Sequence, residues 1–174
     1  TGKRRAAWFV TGVAAAAAAY FAVVAMGPVT NYDSGLYHIG AVRYAGDFAT
    51  IPGIANVYQA FGYNNSEFPF AAAFTNGPWG VQGFRLANGF LILLLCAELA
   101  LRWWGRRRGR STYALTVGAV CVLVPMVALA DYWVTSPTSD PAVFVLSIVA
   151  MCYLSDVLLR TQGARAAAFA RGHH

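Results

Sequence analysis

Carboxylates without an obvious counter-ion indicate a candidate catalytic or metal-binding site in this sequence. Asp33, Asp131 and Asp140 have no cation one helical turn away, and each adjoins the end of an apolar stretch. Such a cluster could supply a general base toward a hydroxyl group and ligands for a divalent cation. The alternative is structural, with Asp33 capping a loop helix and Asp140 capping a later helix that has Pro141 at its first position.

Three further residues could take part in such a site. His38 can titrate near neutral pH, although a single histidine among aromatic residues is more often packed than catalytic. Arg43 and Arg85 could each bind a phosphate group, while Arg43 could equally serve only to balance Asp47 four residues later. The residues form no complete ligand set, so no metal ligand is assigned and a divalent cation stays open as a cofactor.

The composition indicates that much of the chain is embedded in a lipid bilayer. The sequence is 58% hydrophobic and 11% charged, whereas soluble domains carry about 25% charged residues. A bilayer core requires about 20 apolar residues in a helix, and windows of that kind cover about 6–29, 84–104, 114–134 and 141–159. We therefore predict an all-α fold, a bundle of four transmembrane helices that forms a single membrane domain over residues 1–174.

The cations lie on one side of these predicted spans. All of the thirteen Lys and Arg residues except Arg43 and Arg85 precede the first span, join the second to the third, or follow the fourth. They are Lys3, Arg4, Arg5, Arg102, Arg106, Arg107, Arg108, Arg110, Arg160, Arg165 and Arg171. The positive-inside rule then places both termini in the cytoplasm and residues 30–83 outside. Clustered arginines also suit nucleic acid or anionic lipid, but this one-sided placement favours topology, and no nucleic-acid partner is expected.

The outward loop predicts short interfacial helices. The first follows helix-start residues at 31–34 and carries Leu36, Ile39, Gly40 and Arg43 on one face. A second helix is predicted over 54–61, after the break at Pro52-Gly53, and a third from 67 to 74.

Acids inside the spans have simpler explanations. Glu98 and Asp156 each have an arginine four residues later, Arg102 and Arg160, which predicts pairing along one helix face. The cysteines Cys96, Cys121 and Cys152 have no CxxC spacing and are interpreted as small apolar packing residues.

Four short motifs occur in a recognisable order: Asp33-Ser34-Gly35-Leu36-Tyr37-His38, Ile51-Pro52-Gly53-Ile54-Ala55-Asn56, Phe61-Gly62-Tyr63-Asn64-Asn65-Ser66 and Ser136-Pro137-Thr138-Ser139-Asp140. In this order they resemble a branch of bacterial multi-spanning proteins of the GT-C glycosyltransferase type. The resemblance covers roughly residues 31–141. It implies a multi-pass protein of the bacterial inner membrane that uses a polyprenyl-phosphate-linked sugar donor at the extracytoplasmic face.

The resemblance also implies roles for individual residues. An acidic residue in the first outward loop of GT-C enzymes acts as base or metal contact, which points to Asp33 as the catalytic residue, with Asp140 and His38 in support. GT-C enzymes usually have eight or more spans, so a further membrane subunit or additional C-terminal spans are expected partners beside membrane lipid. The alternative function is a non-catalytic membrane subunit, or the half of a larger complex that binds the lipid carrier. A transporter is disfavoured because the acids gather at one face of the membrane.

Overall fold

The computed structural model of the protein describes residues 2–104 and 110–171. Arg106, Arg107 and Arg108, on which part of the charge prediction rests, lie outside these described residues. Every regular element in the two ranges is helical, which confirms the all-α class.

Four long helices form the body of the structure. They are α1 (Gly2–Ala25), α5 (Ala87–Trp104), α6 (Arg110–Ala128) and α8 (Asp140–Arg171). Three segments among the described residues are long and apolar enough to cross a membrane: Ala7–Ala25, Gly80–Trp103 and Asp140–Gln162. Most of the first and third segments faces outward and not into the protein, as expected of helices whose apolar side chains contact lipid.

The predicted span over 114–134 is interrupted. Helix α6 contains Pro125, which removes one backbone donor from the helix, and its apolar part, Thr112–Ala128, is shorter than the other three segments. A non-helical residue, Leu129, separates it from the single turn α7 (Ala130–Trp133).

Small residues bring the long helices close together. A Cβ atom on Gly89 of α5 would lie 3.1 Å from Cβ of Phe21 in α1, and one on Gly118 of α6 would lie 3.2 Å from Cγ2 of Ile148 in α8. Close backbone approach at small residues is how helices associate where no water drives burial. Around these crossings two apolar cores form, one containing Phe21, Ile92 and Met126, the other Leu95, Leu115 and Cys152.

Residues 30–86 fold into a layer of short helices at one end of the bundle. After a π-helical turn at Ser34–His38 come α2 (Ile39–Asp47), α3 (Ile54–Val57) and α4 (Glu67–Ala73), with 3-10 turns at Gln59–Gly62, Phe74–Asn76 and Gly80–Leu86. The three predicted loop helices are thus confirmed, except that the second is split at the extended residue Tyr58. Val42, Phe68 and Phe84 form the core that joins this layer to the start of α5.

The other end of the bundle is fixed by one buried arginine. Nε of Arg102 donates to Oε1 of Glu98 over 2.6 Å, which confirms the predicted pairing. Nη1 of Arg102 donates to Oδ2 of Asp156 over 2.9 Å, and its guanidinium lies 4.6 Å from the ring centroid of Tyr153. The sequence predicted Arg160 as the partner of Asp156, and the contact with Arg102 corrects this because it joins α5 to α8.

Replacing this arginine should loosen the bundle. We expect Arg102→Met to keep most of the packing against Tyr153 but to lose both ion pairs, and to lower the free energy of unfolding by about 1–3 kcal/mol, since both carboxylates remain partly solvated. Thermal unfolding of the detergent-solubilised protein measures the change. Arg160→Met, at an exposed position of α8, is the matched control, and an equal loss of stability in both variants would contradict the bridging role.

Candidate functional site

Two of the sequence motifs meet through a pair of buried serines. Ser34 follows Asp33 in the loop, and Ser136 lies in the segment between α7 and α8. Their Oγ atoms are 2.5 Å apart, and Oγ of Ser34 is also 3.3 Å from Nδ1 of His38. All three side chains are at most 4% exposed. This contact fixes the start of the first motif against the start of the last.

A buried asparagine holds the segment before α8 in place. Nδ2 of Asn88, in the first turn of α5, lies 3.1 Å from the carbonyl oxygen of Trp133, 2.7 Å from that of Ser136 and 3.0 Å from that of Thr138. Because buried carbonyl groups without a donor are costly, this side chain makes an irregular backbone tolerable at the end of the bundle. The segment can therefore present Asp140 in a fixed position.

The end of α1 is attached to the same segment. The single hydroxyl proton of Thr135 is shared between two carbonyl oxygens, since Oγ1 lies 3.1 Å from Pro28 O and 2.6 Å from Asp131 O. The backbone N–H of Thr30 also donates to Asp131 O at 3.1 Å. Asp131 thus contributes a backbone acceptor to the scaffold, while its side chain is exposed.

The two predicted catalytic carboxylates lie beside the same pair of residues. Both Asp33 and Asp140 are exposed. The pKa of Tyr37 is raised by burial and also by the charges of Asp33 and Asp140, together with the neighbouring Tyr63 and Tyr58. Ser34, which follows Asp33, is bonded to Ser136, which lies four residues before Asp140, so the fold brings the two acidic motifs together although 107 positions separate Asp33 from Asp140 in the chain.

His38 is buried and bonded to the serine that follows Asp33. Its burial lowers the pKa of the imidazole, and the charges of Asp33 and Asp140 oppose that change without cancelling it. The ring packs against Tyr37 at a centroid distance of 4.4 Å and against Phe68 at 5.6 Å. Since the imidazole is buried and bonded to Ser34, its role in this arrangement is to position the Asp33 segment.

The capping explanation for these acids is only partly met. Asp33 precedes the π-helical turn without a side-chain capping hydrogen bond. Asp140 is the first residue of α8, one position later than a cap, because Ser139 O already accepts from the N–H of Val143. An acid in the first turn still favours the helix dipole, and Oδ2 of Asp140 accepts a bond from Oγ1 of Thr138 at 3.3 Å.

Arg43 and Arg85, the two arginines predicted to lie outside, differ in how much of each guanidinium is free to bind a ligand. Nη1 of Arg85 donates to the carbonyl oxygens of Gly27 at 2.9 Å and Ala25 at 3.4 Å, which occupies part of the guanidinium with the end of α1. Arg43 is exposed, and among the described residues no carboxylate lies within 4.0 Å of it. The predicted pair between Arg43 and Asp47 is therefore wrong: both side chains extend into solvent, where an ion pair gains little.

Metal ligands are incomplete in this region. Across residues 2–104 and 110–171, no group of three His, Cys, Asp or Glu side chains is arranged to hold an ion. Mg²⁺ is commonly held by one or two carboxylates together with water and substrate phosphates, so a divalent cation stays open as a cofactor.

An open cavity of about 380 Å³ lies in the layer of short helices, between α2 and the chain from Ile51 to Pro69. We call it the loop cavity. Two of its lining residues, Tyr63 and Phe68, each pack edge-on against Tyr37 at a centroid distance of 6.2 Å. Tyr37, four residues after Asp33, therefore adjoins the loop cavity.

Comparison with known proteins assigns the chain to one family. Residues 2–169 match the sequence profile of the family described as Domain of unknown function (DUF8201). The chain belongs to this family. No curated protein and no solved structure matches the chain. The DUF8201 match spans both acidic motifs and the Asn88 scaffold between them.

One titratable residue of this DUF8201 protein was missed as a candidate. Glu67 opens α4 and is only 5% exposed, and its Oε1 atom is buried without a hydrogen-bond partner among the described residues. Burial raises the pKa of its carboxyl to about 7. The sequence shows only an acid after Ser66 at a helix start, a place where acids are usually solvated, so nothing in the pattern indicated burial.

Glu67 should make the protein less stable as the pH rises. Its pKa of about 7 exceeds that of an exposed glutamate, so between about pH 4.5 and 7 the unfolded chain has already lost this proton while the folded chain retains it. Stability therefore falls across this window, by about 1–3 kcal/mol. We expect Glu67→Gln to flatten this dependence in thermal unfolding scans between pH 4.5 and 8.

The exposed residue Asp47 supplies the control for this measurement. Asp47→Asn should leave the pH dependence of the unfolding temperature as it is in the parent protein. A Glu67→Gln variant whose unfolding temperature tracks that of the parent at every pH would show that Glu67 titrates normally.

Proposed function

We propose that this protein is a glycosyltransferase-like membrane protein that acts on a polyprenyl-phosphate-linked sugar donor at the extracytoplasmic face of the bacterial inner membrane. The observation that carries the proposal is the bond between Ser34 and Ser136, which brings the segments bearing Asp33 and Asp140 together. In the same place His38 is bonded to Ser34, and Tyr37 contacts two residues that line the loop cavity. The resemblance of both acidic motifs to GT-C enzymes supports the same reaction class.

Asp33 is the proposed base. It is exposed, so it can reach an acceptor hydroxyl, and it is followed directly by the serine that fixes its position. In the proposed step the carboxylate takes the hydroxyl proton, the acceptor oxygen bonds to the anomeric carbon, and the bond from that carbon to the phosphate oxygen breaks. The polyprenyl phosphate leaves with the bonding electrons. Asp140 orients the acceptor, and His38 holds the loop without touching substrate.

The donor phosphate requires a cation on the same side. Arg43 is the better candidate because its guanidinium is exposed, whereas Arg85 already donates to two carbonyl oxygens of the α1 terminus. The exposed apolar faces of the long helices would contact membrane lipid and any additional spans or subunit of a larger complex.

The membrane arrangement follows from the charges. We propose that α6 and α7 together form a fourth span, because Arg110 to Trp133 covers about 36 Å at helical rise, enough for a core of about 30 Å. Both termini then lie in the cytoplasm with most of the arginines. The layer containing Asp33 faces the opposite side.

Cysteine labelling tests this topology. In a background with Cys96, Cys121 and Cys152 changed to Ala, single cysteines at the exposed positions Tyr32 and Tyr132 should react with a membrane-impermeant maleimide in intact cells. Single cysteines at the exposed Tyr113 and Arg160 should react only after lysis. Equal access for Tyr113→Cys and Tyr132→Cys would refute the fourth span, and labelling of Tyr32→Cys only after lysis would place the acidic site in the wrong compartment.

Removal of the proposed base should abolish transfer. We expect Asp33→Asn to lower the rate of sugar transfer from a radiolabelled polyprenyl phosphate donor by about 10²–10⁴-fold, because the neutral amide cannot accept the hydroxyl proton. Asp140→Asn should lower it less. The measurement uses membranes containing the full chain, and the retained folding of each variant is checked by thermal unfolding.

Asp47→Asn is the matched control, since Asp47 is an exposed acid of the same loop outside the site. It should transfer sugar at the parental rate. Parental turnover by a folded Asp33→Asn variant would remove the proposed base. A parent protein that binds the lipid carrier without turnover would favour the alternative, a non-catalytic carrier-binding subunit of a larger complex.

A further inference from the structure

The loop cavity is built from uncharged groups. All fifteen residues that line it are described, and none of them is acidic or basic. Aromatic rings and hydrogen-bonding groups share its surface: the rings of Tyr44, Phe48, Phe61, Tyr63 and Phe68, and the polar groups of Thr50, Asn64 and Asn65. A phosphate would find no cation here, so the cavity suits a neutral ligand that has both an apolar face and hydroxyl groups.

The aromatic wall of the loop cavity is held in place before any ligand binds. The ring of Phe61 packs edge-on against Tyr44 at 5.2 Å and against Tyr58 at 5.7 Å. The same ring covers Gly40, where a Cβ atom would come within 3.2 Å of it. Such fixed rings reduce the entropy lost on binding, which distinguishes a preformed site from a surface depression.

The polar side of the loop cavity has hydrogen-bonding groups that a ligand could use. Oδ1 of Asn65 accepts the backbone N–H of Glu67 at 3.0 Å, which fixes the carboxamide and leaves its Nδ2 atom to donate. Asn64 and Tyr63 are exposed beside it. A few such groups on an otherwise apolar surface are typical of small-molecule sites, and a volume near 380 Å³ lies within their usual range of about 300–1,000 Å³.

We propose that the loop cavity is a subsite for a neutral sugar ring. The C–H face of a pyranose packs on aromatic rings, and its hydroxyl groups pair with carboxamides and phenols, which are the two kinds of group this cavity combines. The assignment of that ring to the acceptor rests on the transferase function proposed above. It follows from charge, because the donor carries a phosphate that these lining residues cannot neutralise, and from position, because Tyr37 connects the cavity to Asp33.

Binding of simple glycosides tests the subsite without requiring turnover. The full chain is placed in lipid nanodiscs free of glycosidic detergents, and saturation-transfer NMR is recorded with the methyl α-glycosides of glucose, mannose and galactose. We expect saturation of ring protons for at least one of them. Ala45→Phe, which places a ring in the cavity, should weaken this binding by about tenfold or more. Asn64→Ala, which removes one polar group at an exposed position, should weaken it by about threefold or more.

Val57→Phe is the matched control. Val57 is 81% exposed on α3 and does not line the loop cavity, so this variant should bind the glycoside as the parent does. Should Ala45→Phe not fold, Asn64→Ala decides the question. Three results would overturn the subsite: no saturation of any of the three glycosides by the folded parent, parental affinity in the folded cavity variants, or stronger binding of glucose 1-phosphate than of the neutral glycosides.

The failure of this subsite and the failure of the proposed function give different results. Asp33→Asn should retain glycoside binding while losing transfer. A folded Asp33→Asn variant that transfers sugar at the parental rate would reject the proposed base yet leave the measured sugar subsite intact. Transfer that depends on Asp33 with no glycoside binding would reject the subsite alone.

Discussion

The hydrogen bond between Ser34 and Ser136 is the contact on which the arrangement of Asp33 and Asp140 depends. It joins the first turn of the loop to the segment before α8, and both hydroxyl groups are buried. Together with the bond from the Thr30 N–H to Asp131 O, it fixes the segment that bears Asp33 against the one that bears Asp140. A buried pair of this kind is costly to separate, because the Ser136 hydroxyl would lose its bond to Ser34 in a place that water does not reach, and Ser34 would keep only its contact with His38. The bond therefore supplies the rigidity that two exposed carboxylates cannot supply for themselves.

Polar groups are distributed according to what each end of the bundle must do. At the acidic end, Asn88 and Thr135 bond to irregular backbone and the two serines bond to each other, so that non-helical segments can lie against the helices. At the other end, Arg102 bridges Glu98 and Asp156 and joins two helices directly. Between these ends the helices meet through small residues and apolar side chains. This pattern suits a protein whose middle is surrounded by lipid and whose chemistry is confined to one end.

In the layer of short helices, the exposed acids and the uncharged cavity lie in two neighbouring regions. Asp33 and Asp140 are exposed on the serine scaffold, whereas the loop cavity is lined by rings, methyl groups and amides. Tyr37 connects them through its contacts with Tyr63 and Phe68. Glu67 is the exception, since it is an acid buried in the same layer, and one of its oxygens has no hydrogen-bond partner in the described part of the chain. Burial raises the pKa of its carboxyl, so the stability of this layer depends on pH.

Composition and local pattern determined the class of this protein. Apolar length indicated three helices that are long enough to cross a membrane, while the fourth predicted span is interrupted after Pro125. Turn and capping residues located the three short helices of the loop, because both kinds of signal depend on residues close together in the chain. Asp33, His38 and Asp140 were selected from charge and motif alone.

Only the tertiary structure decided which residues that are distant in the sequence contact each other. Asp156 contacts Arg102 of another helix, Arg43 is separate from Asp47, and Glu67 is buried, although the local pattern around each residue favoured a different outcome. The physical reason is that burial and long-range hydrogen bonds arise from how helices pack, which spacing along one segment does not encode.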